Sequence, residues 1–411
     1  MKQQRGGRGE QSQGSRASRL NRRETLQIAA AAAAALSFSA PRFAIGQSRP
    51  PIRIGILNTF SKVFASLGES NSRGNAVVFE QNNWELAGRR IELIREDDEL
   101  SPQTGLDKAR KLVESDKVDF ILGLQATNVA LALLPYLTDR QVPTIMNAAL
   151  TAQSQATPYT YRASFSAWQL AVPMAGWIYD NVAKEIVITA SDYAFGHDVA
   201  EQFRPAFEKR GGKVLEAFFP PLGTADFSPY LSRIKAINPP ATYNFYAGAD
   251  AVRFINQYVL LGLKDTIRLT GWTSLVNADA LSGTAGNAIG CATSSTYADT
   301  LDTPENKMFV DAYVAKNKQV PDFYANFGYT GARILTEAVK AVDGDLSNRE
   351  RVAKAIEAVS FKDPRGPFRF DAATHIPIQN VYVLRTDEKA GTLSNNVIHT
   401  FPDVRDPGPK A

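Results

Sequence analysis

Short apolar runs alternate with longer amphipathic segments along most of the chain. The runs IRIGILNTF (52–60), RRIELIRED (89–97) and VDFILG (118–123) contain many β-branched residues and end in turn-forming residues, which is typical of buried strands. The segments between them carry apolar residues at helical spacing, and Pro102 stands where the first turn of a helix tolerates proline. This repeated alternation predicts an α/β fold with a parallel, doubly wound sheet.

The alternation restarts after residue 160, which predicts a second unit of the same kind. Its expected strands are EIVITASD (185–192), KVLEAFFP (213–220), ATYNFYAG (241–248) and TIRLTGW (266–272). Two similar units predict two lobes that face each other across a cleft. Later helices without matching strands indicate a return to the first lobe, and an antiparallel pair at GPFRF and IPIQNVYVLR is expected to close the second. We expect lobe 1 at 51–165 and 293–372, and lobe 2 at 166–292 and 373–411.

Residues 1–47 have the pattern of an export signal. A basic, polar segment leads to Arg22 and Arg23, and the apolar run that follows is too short to span a bilayer. The paired arginines resemble a twin-arginine signal, with an ordinary secretory signal as the alternative. No cysteine follows the apolar run, so no lipid anchor is expected. These features predict a soluble, exported, periplasmic protein.

The net charge of the chain depends strongly on this N-terminal segment. The formal charge of +4 includes a surplus of about six basic residues in the first 47, which leaves the remainder near −2. Nucleic-acid binding is therefore not expected. The hydrophobic content of 44% and charged content of 21% are those of an ordinary globular protein.

Residues typical of catalysts and metal sites are sparse. A single cysteine, Cys291, excludes an internal disulfide and a cysteine-based metal cluster, and its apolar surroundings predict a buried thiol. The three histidines are far apart, and the common motifs of hydrolases, P-loop proteins, dinucleotide-binding proteins and zinc proteases are missing. We expect no cofactor and no metal. A catalytic group assembled only in space remains the alternative.

Two strand-ending turns lie close together within residues 118–150. The run VDFILG ends in one turn, and after a helical segment the run VPTIM (142–146) ends in another. At the carboxyl ends of parallel strands, helix N-termini expose unpaired N–H groups. The stretch therefore predicts a seat for a small anionic group, formed by Gln125, Ala126, Thr127, Ala148 and Ala149.

These segments, in this order, resemble the type I periplasmic solute-binding proteins of branched-chain amino acid ABC transporters. The resemblance extends from Ile52 to about Val397, and it is carried by IRIGILNTF, the segment from Asp97 to Gly123, VPTIMNAA, SDYAFGHD, AGADA and LTGWTS. It implies two Rossmann-like lobes, a three-segment hinge and ligand trapping by closure of the lobes. It further implies a small-molecule ligand and the permease subunits of an ABC transporter as partners. We expect a monomer.

The resemblance also implies roles for individual residues. The hydroxyl that holds the carboxylate of an amino-acid ligand corresponds to Thr127, with backbone N–H groups at Ala148 and Ala149, and the place of a second hydroxyl is taken by Leu150. The acidic residue that pairs with the ligand ammonium corresponds to Thr273. The other expected cleft residues are Phe64, Phe195, Ala249, Trp272 and Tyr324.

Thr273 bears directly on the class of ligand. A buried ammonium without a carboxylate costs several kcal/mol, so an α-amino acid is disfavoured unless Asp250 or Asp192 takes over that role. We expect a small carboxylate, with an aromatic acid favoured because rings stack on aromatic walls. The alternatives are an amino acid, a neutral amide or a short-chain acid in the same cleft, and a ligand-sensing module for a signalling partner.

Overall fold

The computed structural model describes residues 49–147 and 157–408. Its strands are β1 (Ile52–Asn58), β2 (Glu85–Leu86), β3 (Arg89–Asp97), β4 (Phe120–Gly123), β5 (Thr144–Met146), β6 (Thr160–Arg162), β7 (Glu185–Ala190), β8 (Lys213–Phe218), β9 (Ala241–Phe245), β10 (Arg268–Trp272), β11 (Ala292–Ser295), β12 (Ser360–Asp363), β13 (Gly366–Phe370), β14 (Pro377–Lys389) and β15 (Thr392–Val404).

The helices occupy the segments between these strands. They are α1 (Ala65–Gln81), α2 (Pro102–Arg110), α3 (Thr127–Asp139), α4 (Ala167–Asn181), α5 (Ala194–Lys209), α6 (Ser228–Ile237), α7 (Ala249–Leu260), α8 (Ala278–Gly283), α9 (Pro304–Asn317), α10 (Phe323–Ala341) and α11 (Arg349–Glu357). Short 3₁₀ turns form at Lys62–Phe64 and Thr273–Leu275, and a π-helical turn at Lys111–Ser115 extends α2.

The strands form two sheets, and the α/β fold predicted from the alternation is confirmed. The first sheet has the order β2-β3-β1-β4-β5-β6, and the second has the order β12-β13-β14-β11-β10-β9-β7-β8, with β15 paired to β14. Strands β3, β1, β4, β5 and β6 run parallel, as do β8, β7, β9, β10 and β11. Antiparallel pairing is confined to β2 in the first sheet and to β12 to β15 in the second.

Local sequence signals explain several of these elements. The Ser101 hydroxyl accepts a hydrogen bond from the Thr104 N–H and Pro102 occupies the first turn, so α2 begins where the pattern predicts. Ser166 and Gln169 form a reciprocal capping box at the start of α4. Cys291 is buried as predicted, and this burial raises the pKa of its thiol to about 12.

The chain passes between the two sheets three times within the described residues. It leaves the first sheet after β6, returns after β11 so that α10 packs on α1, and enters the second sheet again at β12. The packing of α10 on α1 depends on two glycines: a Cβ on Gly74 would lie 1.9 Å from the Ala325 carbonyl oxygen, and a Cβ on Gly328 would lie 2.0 Å from that of Asn71. Strands β11, β12 and β13 belong to the second sheet, and the predicted division into lobes at residues 165, 292 and 372 stays a prediction.

Candidate ligand site between the two sheets

The carboxyl ends of β1, β4 and β5 meet at one edge of the first sheet. The Leu124 N–H donates to the Leu57 carbonyl oxygen at 2.6 Å, and the Asn147 N–H donates to the Gly123 carbonyl oxygen at 2.7 Å. Gly123 has a φ of 122°, and a Cβ there would lie 2.3 Å from the Leu57 oxygen, so this close approach requires glycine. The turn after β4 is therefore held beside the ends of β1 and β5, as predicted for neighbouring parallel strands.

Gln125 is the most unusual residue of this turn. Its side chain is buried, with 8% exposed, and neither the amide nitrogen nor the amide oxygen has a hydrogen-bond partner. Leaving such groups unpaired costs about 1–3 kcal/mol each, so native proteins rarely do so without a ligand or water at hand. Gln125 therefore offers an unsatisfied donor and an unsatisfied acceptor at the end of β4.

The first turn of α3 follows directly. Ala126 is the N-cap residue and has no side chain that could cap the helix, and the buried Thr127 is the first helical residue. The N–H groups of a first helical turn, together with the helix dipole, favour the binding of an anion. The predicted partners Ala148, Ala149 and Leu150 lie outside the described residues.

Aromatic side chains from both sheets pack on the apolar core to which α3 belongs. Tyr193, in the turn after β7, packs against the first-sheet core, where its ring lies 6.3 Å from the ring of Phe64 in an edge-to-face arrangement. Tyr324, at the start of α10, packs against the same core. The Asn71 side chain donates to the Tyr324 backbone oxygen at 3.2 Å and so ties α10 to α1 at this point.

Phe195 and Trp272, two predicted cleft residues, lie in a buried aromatic cluster. Their ring centroids are 5.2 Å apart, and each ring also packs edge-to-face on Phe245, at 5.2 and 5.4 Å. The Trp272 indole N–H donates to the Tyr243 hydroxyl. Tyr193 reaches this cluster through Phe245, at 6.1 Å. The rings of Phe195 and Trp272 thus pack on other aromatic rings, and Tyr193 links them to the first sheet.

Tyr193 is the wall residue that sequence reasoning missed. It stands two positions before Phe195, as the N-cap residue of α5, in an extended conformation. The available signal was its position directly after the strand-ending turn of β7, where side chains of parallel sheets meet a ligand.

The remaining predicted residues line smaller spaces nearby. Thr273 is buried and, with Asn277, Tyr297 and Asp322, lines a cavity of about 20 Å³. Ala249 lies with Gly248, Val63 and Lys62 along an open groove of about 310 Å³ between the sheets. Phe64 and Ala126 thus belong to one apolar core on which Tyr324 packs, and Gln125 directly precedes Ala126 in the chain. Thr273 and Ala249 line separate spaces.

Asp250 and Asp192, the two candidate partners for a ligand ammonium, are engaged in other contacts, as is Asp322. Asp250 accepts a hydrogen bond from the Gly223 N–H at 2.9 Å and pairs with Arg253, and burial raises the pKa of its carboxyl. Asp192 is exposed and lies 2.8 Å from the His197 ring nitrogen. Asp322 accepts hydrogen bonds from Ser70 and Asn277. Each of these carboxylates already has positive or N–H and O–H partners.

No group of three His, Cys, Asp or Glu side chains within residues 49–147 and 157–408 is arranged to hold a metal ion. In the same part of the chain, none of the helices combines the length and the apolar character needed to span a bilayer.

Comparisons with known proteins agree with this architecture. The family model of the periplasmic binding proteins matches residues 51–392. The Leu/Ile/Val-binding protein homolog 6 of Brucella melitensis biotype 1 is 32% identical over 371 residues, which cover 88% of this chain and 94% of that protein.

Two solved structures are similar along nearly their whole length. An ABC transporter solute-binding protein from R. palustris in complex with benzoate has 29% identity and a TM-score of 0.82, covering 87% of this chain and 98% of that one. A solute-binding protein from Rhodopseudomonas palustris BisB5 in complex with 3,4-dihydroxy benzoic acid has 30% identity and a TM-score of 0.84, covering 88% and 99%. Together with the two doubly wound sheets, these matches show that the chain belongs to the periplasmic binding protein family, among the type I solute-binding proteins of ABC transporters.

Proposed function

We propose that this protein is the periplasmic receptor of an ABC importer and captures a small aromatic carboxylate between its two lobes. The observation that carries the proposal is the buried, unpaired amide of Gln125 directly before the N-terminus of α3, a helix that forms part of the apolar core on which the rings of Tyr193 and Tyr324 pack. The two similar proteins that bind benzoate and 3,4-dihydroxy benzoic acid support the same class of ligand.

The proposed seat for the carboxylate is the first turn of α3. The Gln125 side-chain N–H and the first N–H groups of the helix are hydrogen-bond donors suited to an anion, and the Thr127 hydroxyl adds a further polar group. We expect Ala148 and Ala149 to add backbone N–H groups, with Leu150 as an apolar neighbour. Phe64, Tyr193 and Tyr324 then enclose the ring of the ligand.

An α-amino acid is the second candidate, and the name of the Brucella relative favours it. Its ammonium would require a carboxylate, since an unpaired buried charge costs several kcal/mol. Thr273 occupies the position that the family resemblance assigns to the acid, and Asp250 and Asp192 are held by Arg253 and His197. These contacts favour a ligand without an amino group.

The proposed role is capture and delivery, without chemical change of the ligand. Solute-binding proteins of ABC transporters bind small molecules and present them to permease subunits. We propose the same for this chain, with lobe closure around the ligand, export to the periplasm and a monomeric state. The recovery of bound ligand unchanged after incubation would agree with this role, whereas turnover of the ligand would contradict it.

Thermal unfolding with a panel of ligands tests the proposal. A ligand that binds only the native state at a hundredfold excess over its Kd adds about 2.7 kcal/mol of stability. We expect benzoate to raise Tm, while leucine and benzamide leave it unchanged because they lack a fitting charge pattern. Cyclohexanecarboxylate keeps the carboxylate and lacks the aromatic ring. It is therefore the matched control for the contribution of contacts between the ligand ring and the aromatic side chains. Stabilisation by leucine alone would overturn the proposal.

A further inference from the structure

Two tyrosine hydroxyls in the aromatic wall have no hydrogen-bond partner among the described residues. Tyr193 and Tyr324 come from different elements, the turn after β7 and the start of α10, and both rings pack on the same first-sheet core. Every other polar contact of these two residues is made by the backbone, including the hydrogen bond from Asn71 to the Tyr324 oxygen. The two hydroxyls are therefore without a protein partner among the described residues.

Both side chains pack on apolar residues but are only half-buried, so water can reach them when no ligand is bound. Burial raises the pKa of Tyr193 and of Tyr324 well above the ordinary value, and the proximity of Tyr193 adds to the shift of Tyr324. A ligand ring that displaces this water without replacing its hydrogen bonds leaves the hydroxyls unpaired, at a cost of about 1–3 kcal/mol each. Two such groups side by side are an arrangement that a ligand group could satisfy.

The chemistry of the missing partner follows from that of the hydroxyls. A hydroxyl group offers one donor and two acceptor sites, so it could accept from one tyrosine and donate to the other. A ring C–H offers neither. A second carboxylate would accept from both tyrosines but would place a charge where burial already disfavours the ionised form of each phenol.

We propose that the preferred ligand carries a neutral hydroxyl on its aromatic ring and that Tyr193 and Tyr324 bind this hydroxyl. The inference rests on the proposed function and makes it narrower. It assigns separate roles to two parts of the site: the N-terminus of α3 with Gln125 binds the carboxylate, and the two tyrosines select the substituent on the ring.

Isothermal titration of the mature protein with a matched series tests this division. The series comprises benzoate, the three monohydroxybenzoates, 4-methylbenzoate as a control of similar size without a hydrogen-bonding group, and terephthalate as the dicarboxylate. At least one hydroxybenzoate should bind about ten- to hundredfold more tightly than benzoate and 4-methylbenzoate. Terephthalate should bind more weakly than that hydroxybenzoate.

Single variants then assign the preference to the two residues. Tyr193→Phe and Tyr324→Phe should each lower the ratio of the affinity for that hydroxybenzoate to the affinity for benzoate by about tenfold. Tyr230→Phe, which alters a tyrosine that packs on the second-sheet core, is the matched control and should change neither affinity.

The outcomes separate this inference from the proposed function. Equal binding of benzoate and all hydroxybenzoates would overturn the inference and leave the proposed aromatic-acid receptor intact. A preference for the hydroxylated ring that survives both tyrosine variants would also overturn it, since the hydroxyl would then be bound elsewhere. Failure of every aromatic acid to bind would overturn the proposed function itself.

Discussion

Gly248, which precedes α7 of the second sheet, contacts Val63 of the first sheet so closely that a side chain would not fit. A Cβ on Gly248 would lie 2.1 Å from the Val63 carbonyl oxygen. The glycine has φ 57° and ψ −137°, a conformation that L-residues with a side chain rarely adopt. The 3₁₀ turn after β1 and the turn before α7 therefore meet backbone to backbone, and both line the groove that contains Ala249.

Gly248→Ala should weaken ligand binding by preventing this contact. The added methyl group forces Gly248 and Val63 apart, so the arrangement that encloses the ligand becomes less favourable, and we expect benzoate affinity to fall at least about tenfold. Gly290→Ala is the control, since Gly290 also has a positive φ, 83°, but has no heavy atom near an added Cβ. Both variants should lose about 1–2 kcal/mol of stability from backbone strain. Equal loss of binding in both would contradict a role for the contact.

Gln125→Leu should change stability and binding in opposite directions. The substitution removes a buried amide whose two polar atoms have no partner, so the free energy of unfolding of the unliganded protein should stay constant or rise by about 1–3 kcal/mol. Benzoate affinity should fall at least about tenfold, because a donor to the carboxylate is lost. Urea unfolding and calorimetric titration measure the two effects. Gln103→Leu, on the exposed face of α2, should alter neither.

A loss of stability in Gln125→Leu would show that the amide is satisfied in the unliganded protein. Retained affinity in a stable variant would place the carboxylate elsewhere in the cleft.

The parts of the fold that sequence reasoning predicts are those with a strong apolar pattern. Strands such as β1, β7 and β9 are buried on both faces, so they appear as continuous apolar runs. The pattern predicts neither β6 nor β15. The first has only three residues, and β15 pairs on one side only and exposes much of its length, so nothing forces its residues to alternate.

The candidate site likewise contains residues that the apolar pattern predicts and residues that it does not. Gln125 and Thr127 follow a strand end, and strand ends can be predicted from the pattern. The choice between Phe195 and Tyr193 depends on where each ring points at the start of α5, where Phe195 packs on Phe245 and Trp272 while Tyr193 reaches Phe64. A spacing of two residues at a helix N-terminus changes the face that a side chain occupies, and the sequence alone does not reveal where the turn ends.

The hydrogen bond between Asn277 and Asp322 links the start of α8 to the start of α10, and a substitution there tests this contact. Asn277 caps α8 after β10, and its side-chain nitrogen donates to the Asp322 carboxylate at 3.1 Å, at the N-terminus of α10. Asn277→Asp should keep the cap of α8 but place two carboxylates together. Two adjacent carboxyl groups do not both ionise easily, so the pKa of one of them rises. The Tm of the variant should therefore be lowered at pH 8, where both are charged, and recover towards pH 5.5. Asn277→Ser, which caps without the added charge, should show no such recovery.

The raised pKa of Asp299 predicts that the stability of the protein depends on pH. It lines an open pocket of about 500 Å³ beside α8, and burial raises the pKa of its carboxyl from 3.8 to about 6. The folded protein thus holds this proton more tightly than the unfolded chain, so the stabilising contribution is complete below pH of about 4 and is lost as the pH rises through about 6. Between pH 4.5 and 7 the loss from this group is on the order of 2 kcal/mol.

Urea unfolding of Asp299→Asn measures this contribution. Over the same interval the free energy of unfolding of the variant should decrease less than that of the wild type, by that amount. Asp302→Asn, at an exposed neighbour, should follow the wild type. Parallel pH profiles for the wild type and Asp299→Asn would mean that the carboxyl is well solvated in the folded protein.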